Sequence, residues 1–109
     1  MPAQPFRLDD EARSRVVGAI DGHLVMEVTY DGGMRVVHPH TLCVAMDQNE
    51  VLQVWQVGGF SSSGHLPGWR NLLTEKIGDL HVTDVHFDPQ ADAEAQRKAL
   101  GDVQIVATV

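Results

Sequence analysis

The sequence predicts a mainly β domain with two helices, an α+β fold. Apolar residues recur at alternate positions along most of the chain, and short segments rich in Gly, Asp and Asn separate these runs. Two other segments, one near each end, have the composition and spacing of helices. With 109 residues and 43% hydrophobic content, the chain can bury one core, so we expect a single domain over residues 1–109.

The first helix is predicted to follow a loose lead-in, residues 1–8, which holds two prolines. Asp9 or Asp10 can cap the helix, and the acidic residues lie in its first turn, where the helix dipole stabilises negative charge. Gly22 is predicted to end it in the left-handed conformation. Apolar residues at helical spacing complete the pattern: Leu8, Ala12, Val16 and Ile20.

Strands are predicted after this helix, where the period changes to two. Asp31-Gly32-Gly33 favours a hairpin turn. Pro39 cannot donate a ladder hydrogen bond and is predicted to break or bend a strand. Gly78-Asp79 is predicted to be a turn. The predicted strands are 24–30, 34–38, 41–46, 51–57, 69–77 and 80–87, followed by a helix over 91–100 and a last strand over 103–107.

Short strands with tight turns are typical of a barrel or a sandwich. Five core strands after a helix favour a small SH3-like or Sm-like β-barrel. The long connection over residues 56–70 is rich in Gly and Ser, yet it contains Phe60, Trp69 and Arg70. Connections of about a dozen residues within a domain are usually functional or disordered. We interpret this one as a binding loop.

The formal net charge of −7 argues against broad binding of duplex DNA. It still permits a local cationic pocket. No apolar run approaches the roughly 20 residues of a membrane span. A single cysteine, Cys43, has no partner for an intrachain disulfide, and the first residues lack a signal-peptide pattern, so a cytoplasmic location is expected.

Arg35 and Arg70 are the sharpest candidates for ligand binding. Each is the only formally charged side chain in its segment, residues 32–46 and 51–74 respectively. A guanidinium without a carboxylate nearby keeps its donors available for phosphate or carboxylate groups. The alternative is that folding brings an acidic side chain close to each arginine.

The long loop offers further binding groups. Ser61 and Ser62 can present hydroxyl and backbone N–H groups to an anion, although a flexible polar loop is the alternative. Trp69 can stack on a base or a sugar, or simply pack. No Gly-x-Ser-x-Gly or phosphate-loop pattern is present, so no catalytic residue is predicted.

The six histidines do not have the spacing of a metal site. His38 and His40 are two positions apart, which does not match a helical zinc motif, and Cys43 lacks a second cysteine at ligand spacing. Hydrogen-bonded or exposed histidines are therefore favoured over metal ligands. We predict neither a metal nor a cofactor. His40 follows the Pro39 bend and is a candidate pocket residue.

The order of several short motifs over residues 12–87 resembles the WYL-domain family, and more closely small stand-alone WYL-like proteins of bacteria. The residues that carry the resemblance are Tyr30, Arg35-Val36-Val37-His38-Pro39-His40, Leu52, Val57-Gly58-Gly59, Ser61, Gly64, Pro67-Gly68-Trp69-Arg70 and Ile77. The Trp-Tyr-Leu triplet itself is replaced by Val54-Trp55-Gln56.

This resemblance implies an Sm-like barrel that senses a ligand, with nucleotides or single-stranded nucleic acid as effectors. The family's pocket residues then correspond to Tyr30, Arg35, His40, Ser62 and Arg70. We therefore expect a non-enzymatic, regulatory module that binds an anionic small ligand or nucleotide. A protein-interaction module that forms a homodimer or binds a partner protein is the alternative, and a metal-dependent hydrolase is the least favoured.

Overall fold

A computed structural model describes residues 8–61 and 64–109, and it confirms the mainly β, α+β prediction. Among these residues, no helix combines the length and the apolar character needed to cross a bilayer. The elements are α1 (Asp10–Gly22), β1 (Leu24–Tyr30), β2 (Gly33–Ala45), β3 (Glu50–Gly59), β4 (Gly68–Leu73), a 3₁₀ turn (Thr74–Lys76), β5 (Ile77–His86), α2 (Ala93–Lys98) and β6 (Val103–Thr108). Of the predicted lead-in, all but Leu8 lies outside the described residues.

Both ends of α1 are closed by local hydrogen bonds. The Asp9 side chain accepts from the Ala12 N–H at 2.8 Å, which confirms the predicted aspartate cap. At the other end His23, with φ of 54°, adopts the left-handed conformation that was predicted for Gly22. That prediction is wrong by one residue, because Gly22 stays helical and the His23 N–H closes the last turn.

The hairpin between β1 and β2 confirms the predicted turn. Tyr30 pairs with Gly33, and the two residues between them, Asp31 and Gly32, have φ of 54° and 84°. Two-residue hairpin turns with positive φ at both positions match the natural twist of the strands they join. The turn sequence therefore sets the register of β1 against β2.

Pro39 does not end the second strand, so the prediction of separate strands over 34–38 and 41–46 is wrong, whereas the predicted alternative of a bend matches an irregularity in the ladder to β3. β2 runs through it, and the ladder to β3 shifts where Pro39 pairs with Val54 and Thr41 pairs with Gln53. His40 is the extra residue of this β-bulge, which absorbs the interruption in the strand. Beyond the bulge β2 pairs with β6, whereas its earlier part pairs with β1.

The chain turns between β4 and β5 at Thr74–Lys76, not at the predicted Gly78-Asp79, which lies within β5. Ile77 already pairs with Tyr30, so the strand has begun before the glycine is reached. β4 and β5 lie at opposite ends of the strand order β4-β3-β2-β1-β5 and are not paired with each other in the described part of the chain. Because only three residues join them, this open sheet must curl strongly.

The core lies between α1 and one face of this curled sheet, called here the inner face. The inward side chains alternate along the strands, as the sequence pattern predicts. The core residues are Val16, Ala19, Ile20, Met26, Val28, Val37, Leu42, Leu52, Val54 and Leu72. The opposite, outer face of β2 and β3 contacts α2 and the segment before it, since the Gln53 side chain donates to the Gln96 carbonyl at 3.0 Å.

Candidate ligand-binding site

Arg35 is a buried cation without a counter-ion among the described residues. Its side chain is on the inner face of β2 and the residue is only 6% exposed. It takes part in none of the salt bridges formed within residues 8–61 and 64–109, and its buried Nε has no hydrogen-bond partner there. Buried charges are normally paired, so this arrangement is exceptional.

Two aromatic rings and one amide surround the Arg35 guanidinium. Its carbon lies 4.9 Å from the centre of the Tyr30 ring and 5.6 Å from that of Phe60. One terminal nitrogen donates to Gln56 Oε1 at 3.2 Å. Cation–π contacts and one neutral acceptor stabilise the guanidinium in part, but they do not neutralise it.

Gln56 fixes the position of this cation and also the start of the long loop. The residue is fully buried on β3, and its Nε2 donates to the carbonyl oxygens of Gly58 at 3.1 Å and Phe60 at 2.7 Å. Because both donors are occupied in this way, Oε1 must face Arg35. The amide thus connects the loop backbone to the guanidinium.

Gly59 allows the chain to pass close to β2 as the loop begins. Its φ is +84°, and a Cβ at this position would lie 2.7 Å from the Arg35 Cα and would clash with the Met34 carbonyl oxygen. The next residue, Phe60, donates its N–H to that same carbonyl at 2.8 Å. This close approach brings the Phe60 ring to the guanidinium.

Arg70 holds the two arms of the loop together. Its guanidinium donates to Ser61 Oγ at 3.0 Å, to the His65 carbonyl at 2.6 Å and to the Trp69 carbonyl at 2.8 Å. Ser61 is therefore a partner of Arg70, and these contacts use guanidinium donors that were predicted to stay available for a ligand. Ser62, the other predicted serine, lies outside the described residues.

The strand register places the two predicted arginines on the same face of the sheet. Val37 pairs with Gln56 and Val54 pairs with Arg70, and paired residues project to the same side. Since Arg35 and Val37 are two positions apart on one strand, their side chains also share that side. The inner face near the loop therefore carries Arg35, Gln56 and Arg70.

His40 is on the outer face, away from this cluster, and only 1% of it is exposed. Its Nε2 accepts from the Gln90 N–H at 3.1 Å, and its Nδ1 lies 2.8 Å from the His38 carbonyl oxygen. A backbone N–H can only donate, so the ring is neutral with its proton on Nδ1. His40 thus attaches the segment before α2 to the bulge of β2.

Trp69 packs beside His40 on the same outer face. Its ring meets those of His40 and Trp55 edge-on, with centroid separations of 4.8 Å and 5.4 Å, and its Nε1 donates to Asp92 at 3.2 Å. These contacts match the alternative in which Trp69 packs within the protein instead of stacking on a base or a sugar. The structure thus separates the predicted residues into an inner group and an outer group.

Burial controls the protonation of the outer group. It lowers the pKa of His38, and the nearby His40 lowers it further. Burial also lowers the pKa of His40, against the opposing effects of the His38 carbonyl and Asp92. Within the described ranges, no three His, Cys, Asp or Glu side chains are arranged to hold a metal ion.

Cys43 is a buried free thiol, as expected for a small apolar residue in a strand. Burial, reinforced by the negative charge of Glu50, raises the pKa of this thiol. The thiolate, which is the nucleophilic form, is therefore disfavoured.

Sequence reasoning did not identify Gln56 or the Phe60 ring as parts of the site. The signal for Gln56 was present, because Leu52 and Val54 predict an inward position two residues later, where a glutamine is unexpected. For Phe60 no such signal exists, since its ring reaches Arg35 only through the close approach at Gly59.

Comparison with known proteins adds no relative to this description. No protein-family model matches the chain, and no curated protein matches it either.

Proposed function

We propose that this chain is a non-enzymatic, regulatory module of the WYL type that binds an anionic ligand at Arg35, such as a nucleotide or the end of a nucleic-acid strand. The observation that carries the proposal is a guanidinium that is buried, lacks a carboxylate partner among the described residues and has an unsatisfied Nε.

The physical basis of this proposal is that no described carboxylate neutralises the Arg35 guanidinium. Holding an unpaired ion out of water destabilises a protein by several kcal/mol, and an anion of suitable shape removes most of that penalty. Guanidinium groups bind phosphate and carboxylate oxygens through parallel N–H donors. Arg35 Nε supplies a donor that no described residue uses.

The aromatic neighbours favour a ligand that has a ring as well as an anionic group. The Phe60 side chain lies near the guanidinium, yet the residue is 51% exposed and can be reached from solvent. Exposed aromatic rings stack on nucleobases with little sequence preference. In this proposal Arg35 binds the phosphate, Phe60 contacts the base, and Arg70 and Ser61 shape the loop beside them.

The proposal includes the SH3-like or Sm-like barrel expected of that family. Its support is the strong curl of the sheet, together with the hydrogen bond that the Leu73 N–H of β4 donates to the Tyr30 hydroxyl of β1 at 3.1 Å. It also includes a cytoplasmic location, which fits a single buried cysteine in the reduced state.

Calorimetric titration tests the proposed site directly. The probes are AMP and a 5′-phosphorylated pentathymidylate, titrated into the wild-type protein and into Arg35→Gln. We expect the wild type to bind one of them and Arg35→Gln to bind it at least about tenfold more weakly, a loss of about 1.4 kcal/mol. Arg35→Lys keeps the charge but loses the fork of donors, so it is expected to fall between the two.

The matched control is Arg97→Gln, which removes an arginine of α2 whose side chain is 32% exposed and lies 3.7 Å from Glu94. This variant is expected to bind like the wild type. Equal binding by Arg35→Gln and the wild type would rule out the site, and so would a wild type that binds neither probe. Thermal unfolding of each variant shows whether it is folded when titrated.

A further inference from the structure

β6 is a strand with one unused edge. Within residues 8–61 and 64–109 it pairs with β2 alone, so the backbone groups along its other side have no strand partner. Three consecutive residues, Gln104, Ile105 and Val106, are exposed, which shows that both faces of the ribbon are open at its centre. An unpaired edge of this kind accepts another strand.

β6 lacks charge and proline, two of the features by which natural proteins protect edge strands, although Val106 is the extra residue at one irregularity in its ladder to β2. Residues 103–109 contain no charged side chain, no proline and no glycine, and most of them are β-branched. β5, whose outer edge is also unpaired within the described residues, differs sharply. It carries Asp79 and Asp84, and its ladder to β1 contains two irregularities, whereas that of β6 to β2 contains one.

We propose that β6 is a self-association strand, which pairs antiparallel with β6 of a second copy of this chain. A two-fold axis at the strand centre, near Val106, satisfies the free edges of both copies with one set of residues. In this arrangement the nearest acidic residue, Asp102, lies at opposite ends of the two strands. The same operation on β5 would place Asp79 opposite Asp84, and directly opposed like charges are destabilising.

The pairing of one edge with itself about a two-fold axis is the reason to choose a second copy over a different protein, and the charge pattern indicates which surface two copies can share. The chain carries a net charge of −7, so two copies repel each other over most of their surfaces. A contact centred on an uncharged strand is the arrangement that adds no repulsion at the interface itself. One six-residue strand gives an interface below the roughly 1,200 Å² of standard complexes, so we expect a weak, concentration-dependent dimer.

Sedimentation equilibrium from about 10 µM to about 1 mM tests this proposal in the range expected for weak dimers. Wild-type protein is expected to shift from monomer to dimer over that range. Val106→Lys should weaken the association at least about tenfold, because it places two ammonium groups next to each other across the axis. Val85→Lys, at a 57% exposed position of β5, is the matched control and is expected to dimerise like the wild type.

A cross-linking measurement keeps the proposal testable if Val106→Lys does not fold. Under mild oxidation, Val106→Cys is expected to form a disulfide-linked dimer, and Val85→Cys is not; the native Cys43 is buried in both. A wild type that stays monomeric throughout would overturn the proposal. Dimers that lose stability in Val85→Lys but not in Val106→Lys, or cross-links of equal yield at both positions, would also overturn it.

Discussion

Glu50 and Arg35 are two buried charged residues on adjacent strands, and they differ in how many of their polar atoms have partners. The Glu50 carboxylate accepts from the Leu8 N–H at 2.7 Å and the Thr74 hydroxyl at 2.9 Å, and it forms a salt bridge with Arg13 at 3.3 Å. It thereby connects the start of α1, β3 and the 3₁₀ turn. Glu50 is thus a structural charge, whereas Arg35 has no equivalent set of partners among residues 8–61 and 64–109.

Glu50→Gln is expected to lower the free energy of unfolding by about 2 kcal/mol. The amide keeps the volume but loses the ionised acceptor, and hydrogen bonds to charged groups contribute about 1.5–3 kcal/mol. Chemical denaturation with urea measures the change. The control is Glu11→Gln, which removes an exposed helix pair with Arg15 and should change stability by less than about 0.5 kcal/mol. Equal effects of the two substitutions would contradict this account of Glu50.

At the scale of elements, two adjacent glycines at the end of β3 have different surroundings. Gly59 has φ of +84° and no room for a Cβ, whereas a Cβ at Gly58 would make ordinary 3.6 Å contacts with Val36. Only Gly59 therefore requires glycine, because it combines a left-handed backbone with a close approach to β2.

Gly59→Ala is expected to destabilise the protein by at least about 2 kcal/mol, from backbone strain and the clash with the Met34 carbonyl. Gly58→Ala is expected to change stability by less than about 1 kcal/mol, in either direction. Thermal denaturation of the two variants side by side provides the measurement. If Gly58→Ala is the more damaging, the backbone conformation described for this loop is incorrect.

Elements whose signals are local were predictable from the sequence. The Asp9 cap and the Asp31-Gly32 turn each depend on residues a few positions apart, so the sequence contains all the information they need. The continuation of β2 past Pro39 was not predictable, because it depends on a bulge against β3. The turn at Thr74–Lys76 contains no glycine or proline, and it follows from the pairing of β5 with β1.

The candidate site also has one part that was predictable from local sequence and another that depends on strand pairing. The isolation of Arg35 could be predicted from its acid-free segment, and the structure shows no salt bridge to it from the described residues. The prediction that His40 and Trp69 lie in one site with Arg35 could not be tested from the sequence alone. It required knowing which face each side chain occupies, and the bulge at His40 and the strand register together decide that.

At the scale of the whole molecule, global stability is expected to fall in mild acid. Burial lowers the pKa values of His38 and His40 in the folded protein, whereas unfolded histidine titrates near 6.5. Below about pH 6.5 the unfolded chain therefore binds protons that the folded chain resists, so the free energy of unfolding decreases with falling pH. The decrease stops once the pH has passed below the folded pKa values.

Melting temperatures between pH 7.5 and 5 measure this effect. Each histidine contributes at most about 1.4 kcal/mol per pH unit, and His40→Gln is expected to flatten the slope even though it lowers stability at every pH. His81→Gln, at an exposed position of β5, should leave the slope unchanged. A slope that is the same in His40→Gln and the wild type would show that this histidine is not responsible.

β2 is one continuous strand, with a bulge at His40, that carries Arg35 near its start and pairs with β6 near its end. The proposed anion site and the proposed dimer contact are therefore connected through the same strand, β2. Thermodynamic linkage sets a strict rule for such an arrangement: whatever factor dimerisation applies to ligand affinity, the ligand must apply to dimer affinity. Titrating nucleotide at two protein concentrations would measure that common factor, and a value of one would mean that the two sites are not coupled.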